Sequence, residues 1–152
     1  MRKLKVLMVC LGNICRSPLA EGILRSKVDI DKVEVDSAGT GNYHVGGLPD
    51  ERSINIAKER GLDITDQRAR QFTAQDFEEY DYIFVMDKSN HQNVLKLAPS
   101  PEHEKKVELI LNQLYPGEDR EVPDPYTGGL DGFVDVYDML DKSTDEFIKK
   151  LF

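Results

Sequence analysis

KLKVLMVCLGNICRSPLAEG, residues 3–22, runs from an apolar stretch through a short loop into a helix start, and its reading decides the fold. Lys3 to Val9 reads as a short, buried strand, because its apolar centre suits a sheet covered on both faces. Ser17 is a favourable helix N-cap, and Pro18 fits the first helical position, where its missing N–H removes nothing. A helix is therefore expected from about Ser17 to Lys27. The loop between holds both cysteines of the chain, Cys10 and Cys15, with Arg16 beside them. Three readings are open for such a loop: a secretion or lipid-attachment signal, a metal or redox pair, and a nucleophile in an anion cradle.

The first reading has a basic start, Met1-Arg2-Lys3-Leu4-Lys5, and Leu7-Met8-Val9-Cys10, loosely like a lipoprotein cleavage box. The apolar run from Val6 to Leu11 is shorter than the ~7–15 residues of a signal core, and polar Asn13 and Arg16 come soon after it. Val9 is also bulky where a small residue is wanted. The second reading lacks ligands. Two cysteines and the scattered His44, His91 and His103 make a poor set for zinc, and no metal or other cofactor is expected.

Composition agrees with one globular domain over residues 1–152, with 39% hydrophobic and 32% charged residues. No apolar run approaches the ~20 residues of a membrane span, so no membrane partner is expected. Two cysteines are too few for a disulfide scaffold, which points to a reducing, cytoplasmic compartment. A net charge of -8 disfavours nonspecific nucleic-acid binding. The short cluster Lys105-Lys106, followed by Glu108, reads as a solvated face.

Downstream, Val33 to Ser37 reads as a second strand, and Gly39, Gly41, Gly46 and Gly47 as a flexible connection. Asp50 to Arg60 looks helical, with Pro49 before it and Gly61 closing it. Tyr80 to Met86 is a strong strand, apolar after Asp81, and Asp87 to Leu97 a helix ended by Pro99 and Pro101. Val107 to Leu111 reads equally as a strand or a short helix. Asp131 to Leu151 is a long helix with apolar Phe133, Val136, Tyr137, Leu140, Phe147 and Leu151. Strands alternating with helices predict an α/β three-layer sandwich: a four-stranded parallel sheet with helices on both faces. Ligands on such sheets bind beyond the carboxyl ends of the strands, where Cys10 falls.

Cys10 and Arg16 enclose five residues just before a helix N-terminus. A compact loop of that length turns backbone N–H groups inward and makes a concave anion site. Gly12 and Asn13 tolerate the unusual dihedrals it needs. Arg16 can grip two phosphate oxygens with its planar fork. The same positive field favours a Cys10 thiolate, equipped to attack phosphorus. The bland alternative makes Cys10 a small buried hydrophobe at a strand end. Walker-type and dinucleotide glycine patterns are absent. Asp124, between Pro123 and Pro125, reads from the residues alone either as a turn former or as a general acid.

The chain closely resembles the low-molecular-weight protein tyrosine phosphatases over nearly its whole length. The resemblance is carried by Val9-Cys10-Leu11-Gly12-Asn13-Ile14-Cys15-Arg16-Ser17-Pro18, Asp36-Ser37-Ala38-Gly39, Ala69-Arg70-Gln71, Met86-Asp87 with Ser89-Asn90, and Asp124-Pro125-Tyr126. It implies hydrolysis of phosphotyrosine on protein substrates, with Cys10 as nucleophile, Arg16 as phosphate clamp and Asp124 as general acid. It implies that the amides from Leu11 through Gly12, Asn13, Ile14 and Cys15 to Arg16 hold phosphate, that Ser17 donates to the Cys10 sulfur, and that Asn13 braces the loop with Ser37.

Leu11, Ile14, Tyr43 and Tyr126 would face the substrate ring. Tyr43 stands where animal members often carry tryptophan, Thr127 where they carry a second tyrosine, and Gln67 where some relatives have histidine. Arsenate reductases share the loop but need further cysteines, and none follows Cys15. Protein arginine phosphatases carry threonine where this chain has Ile14. In the family, the counterpart of Cys15 can form a disulfide with the nucleophile. A non-catalytic phosphate-binding module needs neither the thiol nor Asp124. A monomer or weak homodimer is expected.

Overall fold

The strand from Leu4 to Cys10 (β1) is buried from Val6 onward, and its side chains alternate between two separate apolar cores. Val6, Met8 and Cys10 enter one core, Leu7 and Val9 the other. That two-sided burial is the mark of a parallel sheet sandwiched by helices. The computed structural model describes residues 2–126 and 129–151.

Helix α1 (Arg16–Lys27) follows the loop, then β2 (Val33–Gly39), α2 (Glu51–Glu59), the short α3 (Asp76–Glu79) and β3 (Tyr82–Val85). Helix α4 (Lys88–Leu95), the short α5 (Pro101–Glu104), β4 (Val107–Leu109), a 3₁₀ turn (Ile110–Gln113) and α6 (Leu130–Leu151) complete the order. The four strands pair in parallel in the order β2-β1-β3-β4. Phe84 of β3 and Phe133, Val136, Tyr137, Leu140 and Phe147 of α6 fill the first core with Leu19, Ile23 and Leu24 of α1. Phe72, Phe77, Ile83, Val85 and Val94 fill the second.

Strand β1 pairs with β2 on one side and β3 on the other, Val6 opposite both Val35 and Tyr82. The chain thus leaves β1 in one direction and later returns on the opposite side, which opens a crevice beyond the carboxyl end of β1. Cys10 is the last residue of that strand.

Several local expectations change. Ser17 does not cap α1: Cys15 occupies the cap position without a side-chain hydrogen bond, and the helix starts at Arg16. The Ser17 hydroxyl is instead drawn to Cys10 and Asn13. Gly39 is no flexible connector but the end of β2, where an added Cβ would lie 2.8 Å from the Leu11 carbonyl and 3.1 Å from the Asn13 amide nitrogen. The ambiguous Val107–Leu111 stretch is both things, a three-residue strand running directly into the 3₁₀ turn. Asp50 caps α2 through Arg52 N–H at 2.9 Å, and Asp87 caps α4 in a reciprocal capping box with Asn90.

Candidate active site

Residues Leu11–Cys15 curl between β1 and α1, pinned from outside through their carbonyls. Thr40 N–H donates to Cys10 O at 2.9 Å, Gly41 N–H to Leu11 O at 2.9 Å, and Asp50 N–H to Ile14 O at 2.7 Å. Among the described residues, the amides of Leu11, Gly12, Asn13, Ile14 and Cys15 donate to no protein acceptor. The scaffold thus holds the loop through carbonyls at both its ends while the loop amides stay available, the polarity an anion site requires. Asn13 takes the left-handed conformation at φ 57°; Gly12 does not, and its missing Cβ instead makes room for His44, whose Cδ2 would be 3.1 Å away.

The Asn13 side chain organises the loop from beneath. Its amide donates to Ser17 Oγ at 2.8 Å and to Ser37 Oγ at 3.0 Å, while its carbonyl accepts from Arg70 N–H at 3.0 Å. Ser17 Oγ lies 3.0 Å from Cys10 Sγ. Because Ser17 already accepts from Asn13, its own proton is free to point at the sulfur. Ser37 donates its proton to Glu21 Oε1 at 2.6 Å, so the chain of contacts ends on a buried carboxyl of α1. Burial pushes the Glu21 carboxyl up to about 7, against the opposing pull of Ser37 and of Arg25, whose Nη2 is 2.6 Å away.

Arg16 is almost wholly buried, its side chain only 2% exposed. Its Nη1 donates to Asp87 Oδ2 at 2.7 Å and to Val122 O at 3.0 Å, and its Nη2 lies 3.8 Å from Asp124 Oδ2. Burial works against the buried cation, but Cys10, Asp87 and Asp124 together outweigh it and hold Arg16 above its ordinary pKa. Cys15 behaves oppositely. Burial first, then Asp50, Cys10 and Asp124, push its thiol up to about 12, so it stays protonated.

Cys10, Leu11, Gly12, Ile14, Cys15 and Arg16 line one cleft with Tyr43, His44, Asp124 and Tyr126, a cavity of about 160 Å³. That is well below the ~300–1,000 Å³ of pockets enclosing drug-sized ligands, and suits a single side chain. Tyr43, Tyr126 and Leu11 are exposed around its mouth. Asp124 Oδ1 accepts from Tyr126 N–H at 3.0 Å, a local turn that leaves Oδ2 facing the Arg16 side. The expected residues thus come together from β1, the loop, α1 and the 122–126 segment. Thr127 lies outside the described residues. Gln67 donates to Pro18 O at 3.0 Å, while its Oε1 is buried without a partner among the described residues.

Asp87, His44 and Glu21 join the site although the sequence assigns them no part in it. Asp87 carried a signal, standing in Met86-Asp87 just past a buried strand, where carboxyl-end residues gather. His44 carries only the weak signal of a scattered histidine in the sequence, yet it lines the cleft beside Tyr43. Glu21 had none, since an acidic residue in a helix normally faces water.

A thiol at the switch point of a parallel sheet thus lies in one cleft with a buried guanidinium, beside loop amides that have no acceptor among the described residues. The family model for low molecular weight phosphotyrosine protein phosphatase matches residues 5–152. The low molecular weight phosphotyrosine protein phosphatase of Schizosaccharomyces pombe is 41% identical over 155 residues, covering 99% of this chain and 98% of that one. A crystal structure of a protein tyrosine phosphatase from Entamoeba histolytica, with Hepes in its active site, superposes with a TM-score of 0.90 at 37% identity, covering 98% of this chain and 97% of that one. A Drosophila arginine phosphatase is also similar, with a TM-score of 0.88 at 36% identity and coverage of 97% and 98%. The chain belongs to the low molecular weight phosphotyrosine protein phosphatase family, whose activity is protein-tyrosine dephosphorylation.

Proposed function

We propose that this chain hydrolyses phosphotyrosine on protein substrates through a phosphocysteine at Cys10. The thiolate attacks phosphorus, an S–P bond forms, and the P–O bond to the phenol breaks. Asp124 gives its proton to the departing oxygen, because a phenolate of pKa ~10 leaves faster when protonated. Water then attacks phosphorus, the Asp124 carboxylate takes its proton, and the S–P bond breaks to release inorganic phosphate. The amides of Leu11–Arg16 and the Arg16 fork hold the three remaining phosphoryl oxygens through both steps. Ser17, its lone pair occupied by Asn13, stabilises the sulfur as it leaves.

The observation that carries this reading is the set of five loop amides without acceptors among the described residues, in a cleft that also holds Cys10, Arg16 and Asp124. The Entamoeba enzyme supports it, because Hepes bears a tetrahedral sulfonate and occupies that protein's active site. Leu11, Ile14, Tyr43 and Tyr126 give the cleft apolar walls suited to an aryl ring. Two free cysteines suit a reducing, cytoplasmic setting.

Cys10→Ser is expected to abolish turnover while retaining phosphate binding, and Asp124→Ala to slow phenyl phosphate turnover by roughly 10²–10⁴-fold. Full activity in the serine variant would refute the nucleophile. Similarity to the Drosophila arginine phosphatase makes phosphoarginine the competing substrate. Matched peptides bearing phosphotyrosine, phosphoserine or phosphoarginine decide between them, and preference for phosphoarginine would overturn the aryl assignment.

A further inference from the structure

The carbonyls two residues before and two residues after Asp124 are each held by an arginine. Arg16 Nη1 donates to Val122 O at 3.0 Å, and Arg52 Nη2 donates to Tyr126 O at 2.7 Å. Arg16 belongs to the phosphate site; Arg52 does not line the cleft. It sits in the first turn of α2, and its guanidinium is built in from three sides. Asp50, the helix cap, accepts from Arg52 Nε at 3.0 Å and Nη2 at 3.1 Å. The Phe133 ring of α6 lies 4.5 Å from Arg52 Cζ, and the Tyr126 ring 5.6 Å. A guanidinium set over a buried ring and forked onto a carboxylate has little rotational freedom left to lose.

The same end of α2 also grips the phosphate loop. Asp50 N–H donates to Ile14 O at 2.7 Å, and Ser53 Oγ to Cys15 O at 3.3 Å. The start of α2 is thus one rigid piece touching both halves of the reaction centre, the Cys10–Arg16 loop and the Asp124 segment. Asp124 itself is 45% exposed, and its proline neighbours Pro123 and Pro125 offer no backbone N–H. Besides its own contacts to Tyr126 N–H and to Arg16, its segment is held by the two arginines on the flanking carbonyls.

We propose that Arg52 is a positioning residue for the general acid, fixing Asp124 over the leaving-group oxygen by clamping Tyr126 and referring it to the phosphate loop through Asp50. This rests on Asp124 acting as the general acid. A positioning residue of this kind has a distinct kinetic mark. Its loss harms substrates whose leaving group needs a proton and spares activated phenols that depart as anions.

The test measures kcat/KM of wild type, Arg52→Ala, Arg52→Lys, Asp124→Ala and the Arg52→Ala/Asp124→Ala double variant on phenyl phosphate and 2,4-dinitrophenyl phosphate. Arg52→Ala is expected to lose roughly 10- to 100-fold on phenyl phosphate, the scale of a misplaced catalytic group, and about tenfold less than that on the dinitrophenyl ester. Arg52→Lys keeps the charge without the fork and is expected to fall between. In the Asp124→Ala background, removing Arg52 is expected to add less than about twofold. Inhibition by inorganic phosphate reports the folded Cys10–Arg16 loop and should stay within about threefold of wild type in both single Arg52 variants.

Equal losses on the two esters, or losses that multiply with Asp124→Ala, would overturn the proposal, as would failure of phosphate inhibition in Arg52→Lys. If Asp124→Ala itself shows no dependence on leaving group, the general-acid reading falls. If Asp124→Ala shows that dependence and the Arg52 variants do not, the clamp alone falls.

Discussion

Replacing Glu21 by glutamine probes the buried end of the hydrogen-bond chain beneath the phosphate loop. Glu21 is 2% exposed, receives Ser37 Oγ at 2.6 Å and pairs with Arg25 at 2.6 Å. Burial is the largest influence on its carboxyl, with nearby Asp36 and Asp66 acting the same way, and pushes it up to about 7 from an ordinary 4.5. The folded protein therefore keeps a proton that the unfolded chain releases between those values. Stability must fall as pH rises through that window and level off above the folded value. The gap between 4.5 and about 7 corresponds to about 3 kcal/mol. Glutamine has the shape of the neutral acid and does not titrate.

Urea unfolding of both proteins at half-unit steps from pH 5 to 8 isolates the effect, because every other titrating group cancels in the difference. Near pH 5 the two should agree within about 1 kcal/mol, and near pH 8 the glutamine variant should be the more stable by about 2–3 kcal/mol. For a chain of this size the shift is about 5–10 °C in Tm. A pH-independent difference would show that Arg25 and Ser37 keep Glu21 ionised throughout, and the reasoning from burial would fail.

Gly39→Ala should destabilise the fold by about 1–3 kcal/mol and lower kcat/KM, because its Cβ meets the backbone of the phosphate loop at Leu11 and Asn13. Thermal melts and phenyl phosphate kinetics check it; an unchanged enzyme would mean the loop has room to move. Mild peroxide should oxidise the Cys10 thiolate to a sulfenate, and the Cys15 sulfur should then displace its oxygen as water to give a Cys10–Cys15 disulfide. Cys15, held protonated by burial, is not the sulfur that peroxide oxidises first. Intact mass should show the loss of two hydrogens, reversible by dithiothreitol; sulfinate at Cys10 instead would contradict it.

Much of the frame was legible locally. The apolar Tyr82–Val85 run, the helix starts at Asp50 and Asp87 and the apolar stripe of α6 are each written in a few neighbouring residues. The Ser17 cap misled because a hydroxyl suited to a helix N-terminus is equally suited to a sulfur, and only the approach of Asn13 and Cys10 decides between them. The four-residue helices α3 and α5 are too short to show a period.

The sequence by itself determined the chemistry on offer: a Cys-x5-Arg loop at a strand end, and a late Asp between prolines. Tertiary structure decided which groups hold that chemistry in place. Asp87 and Val122 fix Arg16 from 71 and 106 residues away, and Arg52 reaches Tyr126 across 74. Such contacts leave no local pattern, because they arise only when the parallel sheet brings the ends of β1 and β3 side by side. The same crowding makes Glu21, an ordinary helix residue in the chain, a carboxyl shut away from water.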